Sequence, residues 1–191
     1  HKGSIVNGSN GALLDYAYSV FVSGNYAYVA SAVSDALEII DISNPAFPTH
    51  KGSLTNGVGG ALLNGPKSVY VSGNYAYVAS YDSSALEIID ISNPASPFHK
   101  GSIANGAGGA SLGNPTSVYV SGKYAYVVSE GDDTLEIVDI SNPGAPIHKG
   151  SLGNGTGGAF LSDPLSIFVS GNYAYVASKA SDALEIIDIS N

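Results

Sequence analysis

The sequence contains no cysteine, methionine or tryptophan, and no arginine either, since all seven basic residues are lysines. Without cysteine the chain makes neither disulfides nor thiolate metal sites, so packing and strand pairing must hold the fold, even in an oxidising compartment. Charged residues make up only 12% of the chain, and sixteen acids against seven lysines leave a formal net charge of −9. A field of that sign opposes a phosphate backbone and an anionic bilayer, which argues against nucleic acid as a partner. No apolar run approaches the roughly 18–20 residues a membrane helix needs, and no charged-then-apolar signal peptide stands at the front, so membrane insertion is not expected. The chain starts at His1, inside a repeated string, and is therefore expected to be a mature form or an excerpt of something longer.

What the chain does have is a period of 49 residues. His-Lys-Gly-Ser-(Ile/Leu) opens at His1, His50, His99 and His148, and each copy runs through Tyr-Ala-Tyr-Val to Leu-Glu-Ile-(Ile/Val)-Asp-Ile-Ser-Asn. Such a period means one supersecondary unit per copy, unable to bury its apolar faces alone and stabilised by its neighbours. With 44% hydrophobic residues shared in this way, residues 1–191 read as a single domain of four units, 1–49, 50–98, 99–147 and 148–191.

Within the second copy, Ser68 to Ser72 and Tyr75 to Ser80 are β-branched and aromatic, and Gly73-Asn74 between them signals a tight turn. That is a hairpin. A polar turn at Tyr81 to Ser84 leads to a strand over Leu86 to Ile91, stopped by Ser92-Asn93-Pro94 and Pro97, and a short strand follows from His99 to Ile103. Four antiparallel strands with short turns and no helical periodicity predict an all-β propeller of four-stranded blades. Alternation puts Tyr75, Tyr77 and Ala79 on one face and Ala76, Val78 and Ser80 on the other, a bulky face suited to nest on the small face of the next blade. The recurring pairs Tyr26/Tyr28, Tyr75/Tyr77, Tyr124/Tyr126 and Tyr173/Tyr175 are then inter-blade core, with a sugar-stacking platform as the alternative.

The start and end of the chain complement each other. A lone strand from Lys2 through Ser4 to Ile5 stands at the front, while the last copy carries only its first three strands. Pairing of that front strand beside Leu184, Ile186 and Ile187 completes the last blade, in cis within a four-bladed ring or in trans between chains, giving a larger ring or an array.

The strings Leu37-Glu38-Ile39-Ile40-Asp41-Ile42-Ser43-Asn44-Pro45 and Ser68-Val69-Tyr70-Val71-Ser72-Gly73-Asn74-Tyr75-Ala76-Tyr77-Val78 resemble the LVIVD repeat family, and the resemblance extends over all four copies. It implies bacterial or archaeal cell-surface proteins with propeller-like repeats. Two features depart from the pattern: a glutamate at the second motif position, Glu38, Glu87, Glu136 and Glu185, read as a rim charge, and a long Gly-rich loop such as Asn56 to Ala61 between blades.

Candidate chemistry is sparse. The Gly-rich loops lead into strands rather than the helix that a phosphate cradle requires, so their glycines are expected to serve positive φ. The four histidines, at equivalent outer-strand positions around a ring, are too far apart to share a metal and read as exposed edge or subunit-contact residues. Asp41, Asp90, Asp139 and Asp188 suit capping of the following turn. Asp35, Asp82, Asp132, Asp133, Asp182 and Glu130 form acidic turns without the spacing of a helix-loop-helix calcium site. Neither metal nor cofactor is expected. No serine stands in a Gly-x-Ser-x-Gly elbow, and four near-identical copies offer no unique acid, base or nucleophile, so the chain is expected not to be an enzyme. Asn7-Gly8-Ser9 and Asn154-Gly155-Thr156 match the N-glycosylation pattern.

These readings converge on an extracellular or cell-surface, non-catalytic module for structural assembly or adhesion, a filament or lattice subunit through end-strand pairing. Its partners are then further copies, another surface protein or a glycan. The alternative is a lectin-like propeller binding its ligand through exposed loop-face aromatics Tyr16, Tyr18 and Tyr81.

Overall fold

The computed structural model describes residues 1–190. Four antiparallel sheets follow one another along the chain. The first holds β1 (Ala17–Ser23), β2 (Tyr26–Ser31), β3 (Ala36–Asp41) and β4 (Thr49–Thr55), and the second β5 (Pro66–Ser72), β6 (Tyr75–Ser80), β7 (Ala85–Asp90) and β8 (Phe98–Ala104). The third repeats the pattern with β9 (Pro115–Ser121), β10 (Tyr124–Ser129), β11 (Thr134–Asp139) and β12 (Ile147–Gly153). The fourth has three strands, β13 (Pro164–Ser170), β14 (Tyr173–Ser178) and β15 (Ala183–Asp188). Each sheet is an up-and-down meander, and β1, β5, β9 and β13 lie side by side as the inner strands of a propeller-like stack.

The blades join as the alternation requires. Tyr28, Ala30, Leu37 and Ile39 of the first blade pack on Val69, Val71, Ala76 and Val78 of the second, so the bulky face meets the small one. Tyr77, Leu86 and Ile88 meet Val118, Val120, Ala125 and Val127 in the same way at the next junction. Polar clips repeat beside this core. The Ser19, Ser68 and Ser117 hydroxyls accept from the Val69, Val118 and Ile167 N–H groups, and Asp35 and Asp133 carboxylates accept from the Gly65 and Asp163 N–H groups. An aromatic ladder, Phe21, Tyr70, Tyr119 and Phe168, crosses all four blades with ring centroids 4.8, 4.7 and 5.0 Å apart.

Between blades the Gly-rich loop makes a single 3-10 turn, entered by Gly57 at φ 81° and left through Gly60 at φ 94°, a backbone route that glycine takes without steric cost. An asparagine then locks it, Asn56 Oδ1 accepting from Leu63 N–H at 2.9 Å and Asn105 doing the same for Leu112. Leu63, Leu112 and Leu161 are thereby driven fully into the inter-blade core.

The cis form of closure expected from the sequence is not formed. The front segment is not a strand of the last sheet. Ile5 and Leu14 instead cover Ala27, Val29 and Ile40 on the front of the first blade. Gly3 there sits against Pro45 and Ala46 as Gly52 sits against Pro94 and Ala95, so residues 1–6 lie on the first blade as β4 lies on the second. β13 and β1 make no contact comparable to those between the other neighbouring inner strands. The stack is therefore open after four units: among the described residues β15 is unpaired on its outer side and β13 does not reach β1.

Candidate functional site

The motif glutamates are not rim charges. Glu38, Glu87 and Glu136 are completely buried. In each of the first three blades the third strand places the carboxyl inward, and the fourth strand returns a histidine to it: His50, His99 and His148 hold Nδ1 at 2.5, 2.6 and 2.5 Å from the Oε1 of Glu38, Glu87 and Glu136. The second oxygen accepts a backbone N–H from the loop entering the same blade, that of Leu13, Leu62 or Ser111. The histidines are thus partly buried clasps between an outer strand and its Gly-rich loop, not free edge residues: the His99 Cβ lies 3.7 Å from where a Cβ on Gly59 would stand. In the fourth blade Glu185 accepts from Phe160 N–H and, among the described residues, meets no histidine.

Burial pushes the Glu38, Glu87 and Glu136 carboxyls above their ordinary 4.5, with the histidine and backbone bonds pulling part of the way back. Hydrogen bonds from Ser43, Ser141 and Ser190 hold Asp41, Asp139 and Asp188 below 3.8. A raised folded-state value contributes stability present below pH 4.5 and lost as pH rises through it; a lowered value contributes stability lost as pH falls below 3.8. Thermal melts across pH 3 to 8 are therefore expected to peak in the mildly acidic range and decline toward neutrality, a decline that Glu87→Gln flattens.

The aspartates before Ser-Asn cap their turns, Asp41 Oδ1 accepting from Ser43 N–H at 2.9 Å and from the Ser43 hydroxyl at 2.6 Å. The acidic turns are occupied with backbone: Asp35, Asp132 and Asp133 each accept an N–H from residues 65, 113 and 163. Among the described residues no three His, Asp or Glu side chains converge as metal ligands. Asn7 and Asn154 are exposed, and their Oδ1 atoms brace the Gly-rich loops through Leu14 and Leu161 N–H.

The structure brings Tyr16, Tyr18 and Tyr81 to one rim, where the loops entering the inner strands meet the turns leaving the second strands. Tyr16 and Tyr18 are 65% and 53% exposed with rings 5.7 Å apart, whereas Tyr81, expected to be exposed, is half-buried. What covers it is Lys67, whose Nζ stands 3.2 Å from the Tyr81 ring centroid and 5.7 Å from that of Tyr18. Burial, then the carboxylates of Glu130, Asp82 and Asp163, push the Tyr81 phenol up. Lys179 Nζ bonds Asp163 Oδ2 at 3.0 Å. Tyr18, Lys67, Thr116 and Leu165, one from each inner strand, line a single central cleft. Sequence reasoning passed over Lys67, Thr116, Leu165 and Lys179, although they occupy the repeat positions at which all four copies differ.

The terminal segments diverge in exposure. Lys2 and Ser4 are exposed and Ile5 is half-buried on the first blade. Leu184 and Ile186 on β15 are 67% and 56% exposed, while Ile187 turns inward to the junction with the third blade.

The blade stack is similar to solved structures. A functionally unknown protein from Desulfotomaculum acetoxidans matches over 92% of this chain and 55% of its own, with 16% identity and a TM-score of 0.72. A periplasmic gluconolactonase from Pseudomonas aeruginosa matches over 98% and 53%, with 18% identity and a TM-score of 0.72. A putative 6-phosphogluconolactonase from Bacteroides fragilis matches over 90% and 50%, with 16% identity and a TM-score of 0.71. The chain spans about half the length of each. At these identities the likeness is one of fold, but it overturns the expectation that the chain is not an enzyme. That expectation rested on the sameness of the copies, and proteins named as lactonases share this architecture; the rim described above, moreover, is where the copies are not the same. No curated protein sequence matches the chain. The LVIVD repeat model matches four times, at residues 15–56, 66–105, 112–153 and 163–191, and the chain belongs to the LVIVD repeat family.

Proposed function

We propose that this chain is an extracellular assembly module whose partner is a second copy of itself, the front segment of one copy completing the last blade of the other. The observation that carries the reading is the match between the two open ends. Among the described residues β15 has no strand on its outer side, it exposes Leu184 and Ile186, and Glu185 keeps the carboxyl that three other blades pair with histidine. Residues 1–6 carry the histidine, the glycine and the isoleucine of that fourth strand.

The register follows from the complete blades, where Leu37 faces Leu54, Glu38 faces Ser53 and Ile39 faces Gly52. Carried three periods along for β15 and one period back for the front segment, that register sets Leu184 against Ile5, Glu185 against Ser4 and Ile186 against Gly3 of the other copy, and lets His1 reach Glu185. Beside the strand, exposed Phe168 extends the aromatic ladder to the other copy's Phe21, while Val20 and Val22, 62% and 58% exposed, cover Ile186 as Val69 and Val71 cover Ile39. The solved structures above span about twice this chain, which supports two copies and eight blades in a closed ring. An exterior location is supported by the two glycosylation patterns, both on exposed loops.

Light scattering on the 191-residue chain tests this. Twice the chain mass is expected, reverting to a single chain in Leu184→Asp/Ile186→Asp, which alters exposed side chains and leaves the first three blades intact. Mass that grows with concentration and falls in the same variant keeps the pairing and replaces the ring by a fibre. A single chain at every concentration overturns the proposal.

A further inference from the structure

The four copies are nearly identical, yet their differences are not scattered. At seven repeat positions every copy carries a different residue, and five of these lie at the rim. Tyr16, Gly65, Asn114 and Asp163 form one set, Tyr18, Lys67, Thr116 and Leu165 a second, and Ala32, Tyr81, Glu130 and Lys179 a third. The adjacent sets beginning at Asp15 and Val33 complete the five.

These positions are far apart in sequence and contiguous in space. The loop entering each inner strand hydrogen-bonds to the turn leaving the second strand, as Tyr81 N–H to Gly65 O and Asp82 N–H to Asn64 O in the second blade. The third blade joins the second there, Asn114 Nδ2 donating to Tyr81 O at 3.1 Å. A framework held constant beneath a patch where every copy differs is the arrangement in which loops carry recognition on a rigid scaffold. Packing does not require the variation, because the same backbone accommodates tyrosine, glutamate and lysine at one position.

We infer that this rim is a binding site and that its ligand is a saccharide. Tyr16 and Tyr18 offer two adjacent exposed rings, and tyrosine supplies flat contact area for little loss of side-chain freedom. Around them stand donors and acceptors of both signs, the Lys67 and Lys179 ammonium groups and the Glu130 and Asp163 carboxylates. That mixture suits ring faces and hydroxyls, which need stacking together with donors and acceptors; it does not suit a polyanion, which would meet carboxylates in a chain of net charge −9. The inference is independent of how copies assemble, since the rim lies within one chain.

The test is binding of the 191-residue chain to an array of neutral and acidic oligosaccharides, with titration calorimetry on the strongest glycan. Retention of a defined glycan class is expected, weakened about tenfold or more by Tyr16→Ala/Tyr18→Ala and by Lys67→Ala. Val58→Ala, in an exposed inter-blade loop, leaves it unchanged. Circular dichroism and melting temperature identify any variant that has lost its fold, for which Tyr18→Ser is the milder replacement. Absence of any glycan above background, or retention that the rim variants leave untouched, overturns the inference.

Discussion

Replacing Glu87 by alanine is expected to destabilise the chain by about 1–3 kcal/mol or more, the range for leaving a buried hydrogen-bonding group without its partner. Glu87 is fully buried and joins three segments distant in sequence: the β7 strand that carries it, His99 on β8 and the Leu62 N–H of the entering loop. Alanine strands the histidine and the N–H together, and it removes what fastens the outer strand to the loop beneath it. The equivalent change at Glu185 is expected to be far milder in the single chain, because that carboxyl is only partly buried and meets one N–H. Urea unfolding of the two variants side by side measures the difference. Equal losses would mean that the histidine bond contributes nothing.

The second large effect comes from a missing side chain. A Cβ on Gly101 would stand 2.5 Å from the Pro143 carbonyl oxygen, and one on Gly52 would stand 2.5 Å from that of Pro94. Both obstacles are backbone of the following blade, held by its own capped turn, so neither moves aside as a flexible side chain would. Gly101→Ala is therefore expected to cost about 1–3 kcal/mol or more through overpacking at the junction. Gly150, at the same repeat position, has nothing within 4 Å among the described residues, and Gly150→Ala is expected to change stability by no more than about 0.5 kcal/mol. Local propensity is identical at the two sites, so the contrast isolates the junction.

Much of the fold was legible because its signals are local. Alternation and the Gly-Asn turn delimit β6 at the observed Tyr75–Ser80, and the Tyr81 to Ser84 turn and three-stranded final copy follow from the same pattern. β5 starts two residues earlier than read, at Pro66, since a first strand residue can lack its N–H. The glutamates were misread because their partners lie 12 and 25 residues away, brought together only when the outer strand folds back over the loop. Whether the last blade comes back round to the first is a property of the whole stack rather than of one copy, so cis closure was equally beyond reach. Tyr16 and Tyr18 were legible as exposed aromatics of the loop face, whereas the packing of Lys67 of β5 on Tyr81, in the turn after β6, needed coordinates.

Each junction is built from one recurring set of pieces, a tyrosine face on an alanine-valine face and a serine clip, joined at the first two by a glycine against a proline carbonyl. Inserting or excising 49 residues therefore recreates a junction the protein already possesses, and no new interface has to be invented. Length can drift by whole copies through slippage in the gene, while the seven freely varying positions give each copy its individuality. Copy number and surface chemistry are thus separately adjustable, one by recombination and the other by point substitution.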